Sequence, residues 1–157
     1  MTRAARVLAL VVLAFAIAAS APVAQQRADS ARVRQQLIGS YKLISYVGYD
    51  QNGNATKRPY SVGQISYDAA GRMSAQLMPD RPTSGSATAN YISYFGHYEI
   101  DAANGVVTHL VEGSVSPSML GAAMPRYFEF SADGATLFLQ TKNGERVTGR
   151  LQWDRYR

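Results

Sequence analysis

Cysteine is absent from the 157 residues of this chain, and tryptophan and histidine are scarce, with one Trp and two His. Without Cys the chain has no disulfide, no thiolate nucleophile, no thiolate metal site and no cysteine-linked lipid anchor. The two histidines, His97 and His109, fall on predicted strands of opposite facing, and no cluster of carboxylates accompanies them. We therefore expect no metal site.

Long hydrophobic runs are also missing, except for one at the N-terminus. Residues 7–19 are all apolar, with Arg3 and Arg6 before them and small residues after them. A membrane-spanning helix needs about 18 apolar residues, whereas the core of a signal peptide needs roughly 7–15. The pattern predicts a signal peptide over residues 1–24, cleaved after Ser20 or Ala24, with an uncleaved anchor as the alternative.

The leader and the missing Cys together predict where the protein is found. Small secreted eukaryotic domains often carry disulfides, so an exported chain without them is typical of bacteria. We expect a secreted or periplasmic bacterial protein with no membrane span after cleavage of the signal peptide.

A strong charge of one sign is lacking as well. The formal net charge is +5, and it falls to +3 when Arg3 and Arg6 are removed with the leader. The remaining basic residues are scattered, whereas nucleic-acid binding requires a clustered basic face. The chain also lacks a Gly-x-Ser-x-Gly elbow, a phosphate-binding glycine loop and an inward pair of carboxylates. We expect no nucleic-acid partner and no cofactor.

What the sequence does contain is a series of short β-type runs. Each is rich in Val, Ile, Tyr, Phe or Leu, and Asp or Asn with Gly forms the turns between most of them. They cover residues 38–47, 62–67, 72–78, 91–100, 106–113, 124–130, 136–140 and 146–154. The pattern predicts an all-β domain over residues 37–157, an antiparallel up-and-down barrel of about eight strands.

The segments outside these runs are polar. Residues 25–36 predict a short N-terminal helix, for which Asp29 or Ser30 is a suitable cap and at which Gly39 is the stop. Two connections, residues 79–90 and 114–123, are longer than the turns. Long loops on a rigid sheet are where access to a binding site usually lies, although both can be plain connections.

Strand alternation predicts which side chains point into the barrel. Arg126 shares its face with two phenylalanines that have to be buried, and His109 lies on the more apolar face of its strand. Burial of Trp153 on the last strand is worth about 2–3 kcal/mol. The expected interior side chains of the first strand are Tyr41, Leu43, Ser45 and Val47. The other interior polar groups are the hydroxyls of Tyr67 and Tyr98.

One hairpin decides the facing of His109. A four-residue loop over residues 102–105 pairs Tyr98 with His109 and buries Ile100. A three-residue loop with a bulge would turn His97 inward instead. We favour the four-residue loop because it buries the apolar side chain.

An arginine inside an apolar barrel needs a partner, because an unpaired buried charge is costly. The seven Asp fall in turns or tails, and the four Glu lie on outward faces or in a turn. Two arrangements for Arg126 remain open. Tyrosine hydroxyls, carbonyls and water can solvate it, or a ligand carboxylate, enolate or phenolate can meet it.

Several short motifs occur in a fixed order along nearly the whole chain after the leader. Among them are Gly39-Ser40-Tyr41-Lys42-Leu43, Gly63-Gln64-Ile65-Ser66-Tyr67-Asp68, Tyr94-Phe95-Gly96-His97-Tyr98, Thr108-His109-Leu110-Val111-Glu112-Gly113, Arg126-Tyr127-Phe128-Glu129 and Leu151-Gln152-Trp153-Asp154-Arg155. In this order and spacing they resemble the bacterial and fungal lipocalin-like domain family, a branch of the calycin barrels. The resemblance implies a barrel around a small-molecule pocket.

The first-strand motif of this chain differs from the one that lipocalins carry. Lipocalins carry Gly-x-Trp in the first strand and place an arginine of the last strand over that Trp. Here Tyr41 stands in place of the Trp, and Arg150 and Arg155 are the candidate cations. Some calycin relatives act as isomerases, cyclases or hydratases, so an enzyme is possible only by analogy.

These observations predict a protein that binds a small, mostly apolar or amphipathic ligand whose anionic or carbonyl end is oriented by Arg126 and His109. The predicted ligand-binding residues are Arg126, His109, Tyr98, Tyr67, Tyr41, Phe128 and Trp153. The alternatives are a cofactor-independent isomerase or cyclase with His109 or Tyr98 as the acid or base, and a filled barrel that serves only as an interaction module. We expect a monomer or a weak dimer.

Overall fold

A computed structural model describes residues 23–81 and 90–157. The strands are β1 Gly39–Tyr49, β2 Ala55–Lys57, β3 Val62–Tyr67, β4 Arg72–Met78, β5 Ile92–Asp101, β6 Val106–Ser114, β7 Ala123–Phe130, β8 Thr136–Asn143 and β9 Arg146–Arg155. They form one antiparallel sheet in the order β2-β1-β3-β4-β5-β6-β7-β8-β9, and pairing of β1 with β9 closes it. The predicted all-β up-and-down barrel is confirmed, with β2 as an extra strand beside it.

The strand bounds follow the sequence pattern closely. Strands β3 and β4 have the predicted bounds, and the other predicted strands differ by one to three residues at an end. Strand β2 was not predicted, because its three residues are all exposed and carry no apolar alternation. It pairs with the last three residues of β1.

The N-terminal helix is longer than predicted. Residues 23–37, here called α1, are helical, so Asp29 and Ser30 lie inside the helix and do not cap it. The backbone turns away after Ile38, where Gly39 has a φ of 142°. Val33 and Leu37 are buried in the core. The predicted signal peptide lies outside the described residues except for residues 23 and 24, which belong to α1.

The barrel has two different ends. At one end α1 and the short turns at residues 68–71, 102–105 and 131–135 come together, and we call it the helix end. At the other end lie β2 and the 3-10 helix Pro117–Met119, and we call it the loop end. The predicted loop 79–90 falls largely outside the described residues. No helix in the described part of the chain has the length and apolar character needed to cross a membrane.

The predicted interior face of β1 is correct only in its first half. The register of β1 against β9 shifts between Leu43 and Ser45, which marks a β-bulge. Beyond the bulge Tyr46 pairs with buried Leu151 and turns inward. Ser45 and Val47, which were expected inside, pair with outward residues of β9.

The hairpin that decides the facing of His109 has the favoured register. Tyr98 pairs with His109, and Ile100 pairs with Val107. His109 is fully buried. His97 faces outward, where its Nδ1 lies 2.8 Å from a carboxylate oxygen of Glu112.

Candidate functional site

A cavity of about 90 Å³ lies inside the barrel. Most of its wall is apolar, and the polar groups are few. The apolar wall includes Ile65, Ala75, Leu77, Leu139 and Leu151. The residues with polar atoms are Tyr46, Tyr94, His109, Arg126, Thr141 and Trp153. An engineered cavity of about 150 Å³ in another protein holds benzene, so this cavity suits a group of only a few heavy atoms.

The cavity extends toward the loop end. Its lining there includes Ile92 at the start of β5 and Met119 of the 3-10 helix. Both side chains are only partly buried. Tyr46, near the end of β1, is a third partly buried residue of the cavity wall toward this end.

A hydrogen-bonded row of three side chains forms the polar side of the cavity. The Tyr67 hydroxyl lies 2.7 Å from His109 Nε2, and the Tyr94 hydroxyl lies 2.9 Å from His109 Nδ1. Strands β3, β5 and β6 each supply one member. Both ring nitrogens of His109 are thus occupied by tyrosines.

Burial keeps the members of this row in their neutral forms. It lowers the pKa of His109 well below 6.5, and the positive charge of Arg126 lowers that pKa further. Burial also raises the pKa of Tyr67 and of Tyr94, while Arg126 partly opposes both rises. The imidazole and the two phenols therefore remain uncharged at neutral pH.

Arg126 lines the same cavity without an acidic partner. Its guanidinium donates to the carbonyl oxygen of the adjacent Pro125 at 3.0 Å and lies 3.6 Å from the sulfur of Met124. All eleven Asp and Glu belong to the described residues, and the ion pairs found there do not include Arg126. The charge of Arg126 is therefore not compensated by a carboxylate of this chain.

Trp153 contributes a further unmatched donor. Its side chain is 1% exposed, and its Nε1–H has no acceptor among the described residues. A buried donor without an acceptor costs about 1–3 kcal/mol. Such a group in a cavity wall is a position at which a ligand oxygen is favourable.

Three predicted pocket residues lie elsewhere. The Tyr41 hydroxyl donates to carbonyl oxygens at the end of α1, and the Tyr98 hydroxyl donates to the Asp68 carbonyl at 2.9 Å. Phe128 packs against Phe130 near the same helix end. All three belong to the barrel interior, but they lie nearer the helix end than the cavity does. Of the other predicted residues, Arg126, His109 and Trp153 line the cavity, and Tyr67 reaches it through His109.

The cavity residues that sequence reasoning missed include Tyr94, Tyr46 and Met119. Tyr94 had a usable signal, because it lies two and four residues before Gly96 and Tyr98 on the same face of β5. Tyr46 was hidden by the bulge in β1. Met119 belongs to a loop, where strand alternation gives no information.

No group of three or more His, Asp and Glu side chains is arranged to hold a metal ion in the part of the chain that the structure describes. The polar groups of the cavity are the Arg126 cation, the unpaired N–H of Trp153 and three hydroxyls that can each donate a hydrogen bond. This arrangement can bind a group that accepts hydrogen bonds and carries negative charge.

Comparison with known proteins identifies a family over most of the chain. A profile described as a lipocalin-like domain matches residues 38–156. No curated protein matches the chain significantly. Among solved structures, a redesigned β-barrel aligns with 9% sequence identity and a TM-score of 0.42, over 79% of this chain and 95% of that protein. A likeness at that level carries no argument about function.

Proposed function

Because the chain belongs to the lipocalin-like domain family, we propose that it binds a small, mostly apolar molecule and holds the anionic or carbonyl end of that molecule inside the barrel. The observation that carries the proposal is Arg126. Its guanidinium lines an apolar cavity and no acidic side chain of the chain compensates it. Arg126 is partly exposed, so a ligand oxygen that meets its guanidinium replaces only the part of its hydration that the cavity wall removes.

The size of the cavity limits which part of the ligand it holds. About 90 Å³ accommodates a carboxylate or enolate head with a few carbons. The apolar remainder would lie between Tyr46, Ile92 and Met119 and point toward the loop end. A ligand of this kind is amphipathic, with its polar end buried and its apolar end near the surface.

The role of His109 differs from the sequence prediction in this proposal. His109 was expected to contact the polar end of the ligand directly. Both of its ring nitrogens are instead within hydrogen-bond distance of tyrosine hydroxyls. Tyr94, which lines the cavity between His109 and Arg126, is the better candidate for the direct contact.

An isomerase or cyclase is less well supported by the same site. General acid–base catalysis favours groups whose pKa lies near the working pH. Here burial moves the pKa of His109 down and the pKa values of Tyr67 and Tyr94 up, away from neutrality. The cluster is suited to holding hydrogen bonds in place, and the cavity itself argues against a filled barrel.

Export is part of the proposal and rests on the apolar run at residues 7–19. Its test is expression of the full chain in a bacterial host, followed by N-terminal sequencing of protein from the periplasm and medium. Cleavage after Ser20 or Ala24 is the expected result. An intact N-terminus on protein retained in the cytoplasm contradicts export.

The binding proposal is tested with Trp153 fluorescence, since Trp153 is the only tryptophan and lies in the cavity wall. The probes are hexanoate and benzoate, confirmed by calorimetry. In Arg126→Gln we expect affinity to fall by about 10–100-fold, because charge-assisted hydrogen bonds contribute about 1.5–3 kcal/mol.

The matched control is Arg146→Gln, which removes the same charge from an exposed arginine of the loop end. Its affinity should stay within about twofold of the wild type, because exposed charges contribute little. A wild type that binds neither probe contradicts the proposal, as does equal loss in both variants.

A further inference from the structure

Counting donors and acceptors shows where the hydrogen atoms lie in the row Tyr67, His109 and Tyr94. A neutral imidazole carries one N–H and one bare nitrogen. One of its two tyrosine contacts must therefore receive a hydrogen from the ring, and the other must give one. His109 is neutral because it is buried beside Arg126 and has no carboxylate near it.

Tyr67 decides which of the two arrangements is present. Among the described residues its hydroxyl has only one hydrogen-bond partner, His109 Nε2. If Nε2 carried the hydrogen and donated it, the Tyr67 O–H would be buried outside the cavity wall without an acceptor. The opposite arrangement avoids this loss, because Tyr94 lines the cavity, where water or a ligand oxygen can accept its hydroxyl hydrogen. Tyr67 therefore donates to Nε2, and Nδ1 carries the hydrogen of the ring.

The tautomer of His109 determines which group Tyr94 presents to the cavity. Nδ1–H donates to the Tyr94 oxygen at 2.9 Å, so the hydroxyl hydrogen of Tyr94 is not used by His109. Tyr94 lines the cavity together with Arg126 and with Trp153, whose Nε1–H has no acceptor. Three donors then border one small space, and no carboxylate borders it.

We infer that Tyr67 and His109 are positioning residues that make Tyr94 a hydrogen-bond donor into the cavity, so that the site selects carboxylate, enolate or phenolate ends and rejects ammonium ends. This inference rests on the proposed function and specifies the class of ligand. Neither Tyr67 nor His109 needs to touch the ligand. An ammonium group would meet the positive charge of Arg126 and the hydrogens of Tyr94 O–H and Trp153 Nε1–H. The other polar atoms of the wall, the hydroxyls of Tyr46 and Thr141, are neutral and do not offset that charge repulsion.

The arrangement of hydrogens is measured first, without any ligand. Nitrogen-15 spectra of the histidine side chains distinguish a protonated ring nitrogen from a bare one. With only two histidines in the chain, His97→Gln assigns the signals. We expect Nδ1–H and bare Nε2 in His109 at pH 7. A ring hydrogen on Nε2, or an imidazolium, overturns the inference whatever the protein binds.

The selectivity is measured next with three probes of equal chain length: hexanoate, hexanamide and hexylamine. We expect the wild type to bind hexanoate at least about tenfold more tightly than hexanamide and not to bind hexylamine, since each lost donor contact is worth about 1–1.5 kcal/mol. Equal affinity for hexanoate and hexylamine overturns the inference.

Tyr67→Phe separates a positioning role from direct contact. The substitution keeps the ring and removes only the hydroxyl that fixes the His109 tautomer, so the Nε2–H form becomes accessible. We expect the histidine signals to change and the affinity for hexanoate to fall about tenfold. A variant with wild-type signals and affinity contradicts the positioning role.

Tyr98→Phe is the matched control, because it also removes one buried tyrosine hydroxyl. Tyr98 packs edge-on against Tyr67 with ring centroids 5.1 Å apart, but its hydroxyl donates to the Asp68 carbonyl. Its histidine signals and hexanoate affinity should match the wild type. If the expected tautomer is found but the wild type binds no probe, the proposed function fails and the hydrogen arrangement stands. If the other tautomer is found with hexanoate bound through Arg126, only the inference fails.

Discussion

The Arg155 guanidinium lies over the ring of Tyr41, with its carbon 4.6 Å from the ring centroid. The same guanidinium donates to the Ile38 carbonyl at 2.7 Å and to the Tyr41 hydroxyl. It thereby joins the end of β9, the start of β1 and the end of α1. Of the two candidate cations, Arg155 takes the position over the first-strand aromatic, and Arg150 lies over Phe138 instead.

We expect Arg155→Ala to lower the free energy of unfolding by about 2 kcal/mol, because it removes charge-assisted hydrogen bonds and a cation–π contact together. Urea unfolding measures the loss. Arg150→Ala is the control, since its contacts with Phe138 and Glu129 are partly exposed and should contribute less than about 1 kcal/mol. Equal losses in the two variants would show that Arg155 has no special role in closing the barrel.

The buried His109 predicts a pH dependence of stability. Burial and Arg126 lower its pKa in the folded protein below 6.5, so the unfolded chain binds more protons below that pH. The free energy of unfolding therefore falls as the pH falls below 6.5, by about 2 kcal/mol from pH 7.5 to pH 5. Tyr67, Tyr94 and Arg126 face the ring, and burial raises the pKa values of the two tyrosines, so neither tyrosine changes its protonation in this range.

The measurement is urea unfolding from pH 5 to pH 7.5 in the wild type and in two variants. His109→Gln should lose this part of the pH dependence, whatever its overall stability. His97→Gln should keep it, because His97 lies outside the barrel. A slope that is unchanged in His109→Gln would mean that another group is responsible.

Adding one methyl group at Gly96 is expected to lower the stability of the protein strongly. The register of β5 against β6 shifts beside it, and a Cβ there would overlap the Leu110 carbonyl of β6. Backbone cannot move aside cheaply, so Gly96→Ala should destabilise the protein by about 3 kcal/mol. In Gly113→Ala the added methyl meets the ring of Phe95, which is exposed and can rotate, so we expect a smaller loss. Thermal unfolding ranks the two variants, and the reverse order would contradict this account.

Filling the cavity should abolish binding without unfolding the protein. Ala75 is 1% exposed and lines the cavity. The added carbons of Ala75→Leu occupy much of the empty space, so the hexanoate response of Trp153 should disappear while stability changes by less than about 1.5 kcal/mol. Ala69→Leu, in an exposed turn, should retain the response. Binding that survives in Ala75→Leu would place the ligand outside the barrel.

The eight barrel strands, and the facing of their side chains where no bulge intervenes, could be predicted from the sequence, because turn residues and alternation are local signals. The turn before Arg72 and the pairing of Tyr98 with His109 illustrate this. The bulges beside Ile44, Gly96 and Lys142 were not predictable in this way. A bulge inserts one residue without a characteristic sequence and reverses the facing of every later side chain, which is why Tyr46 was missed.

The position of each interior residue along the barrel axis could not be predicted from the sequence either. Alternation placed Tyr41, Tyr98 and Phe128 on the interior face, and all three are found there, but near the helix end and not at the cavity. How far along the barrel a residue lies depends on the stagger of the closed sheet. That stagger is a property of all eight barrel strands together and cannot be obtained from any one of them.

The position of α1 limits how a ligand could reach the proposed site. Among the described residues, Val33 and Leu37 of α1 pack into the core at the helix end, so in the proposed binding mode a ligand enters from the opposite rim and meets the hydrogen-bond donors last. It would therefore enter with its oxygen atoms leading and its hydrocarbon trailing. A bulky tag fixed to the trailing hydrocarbon would remain outside and be tolerated, whereas the same tag on the leading group would block entry.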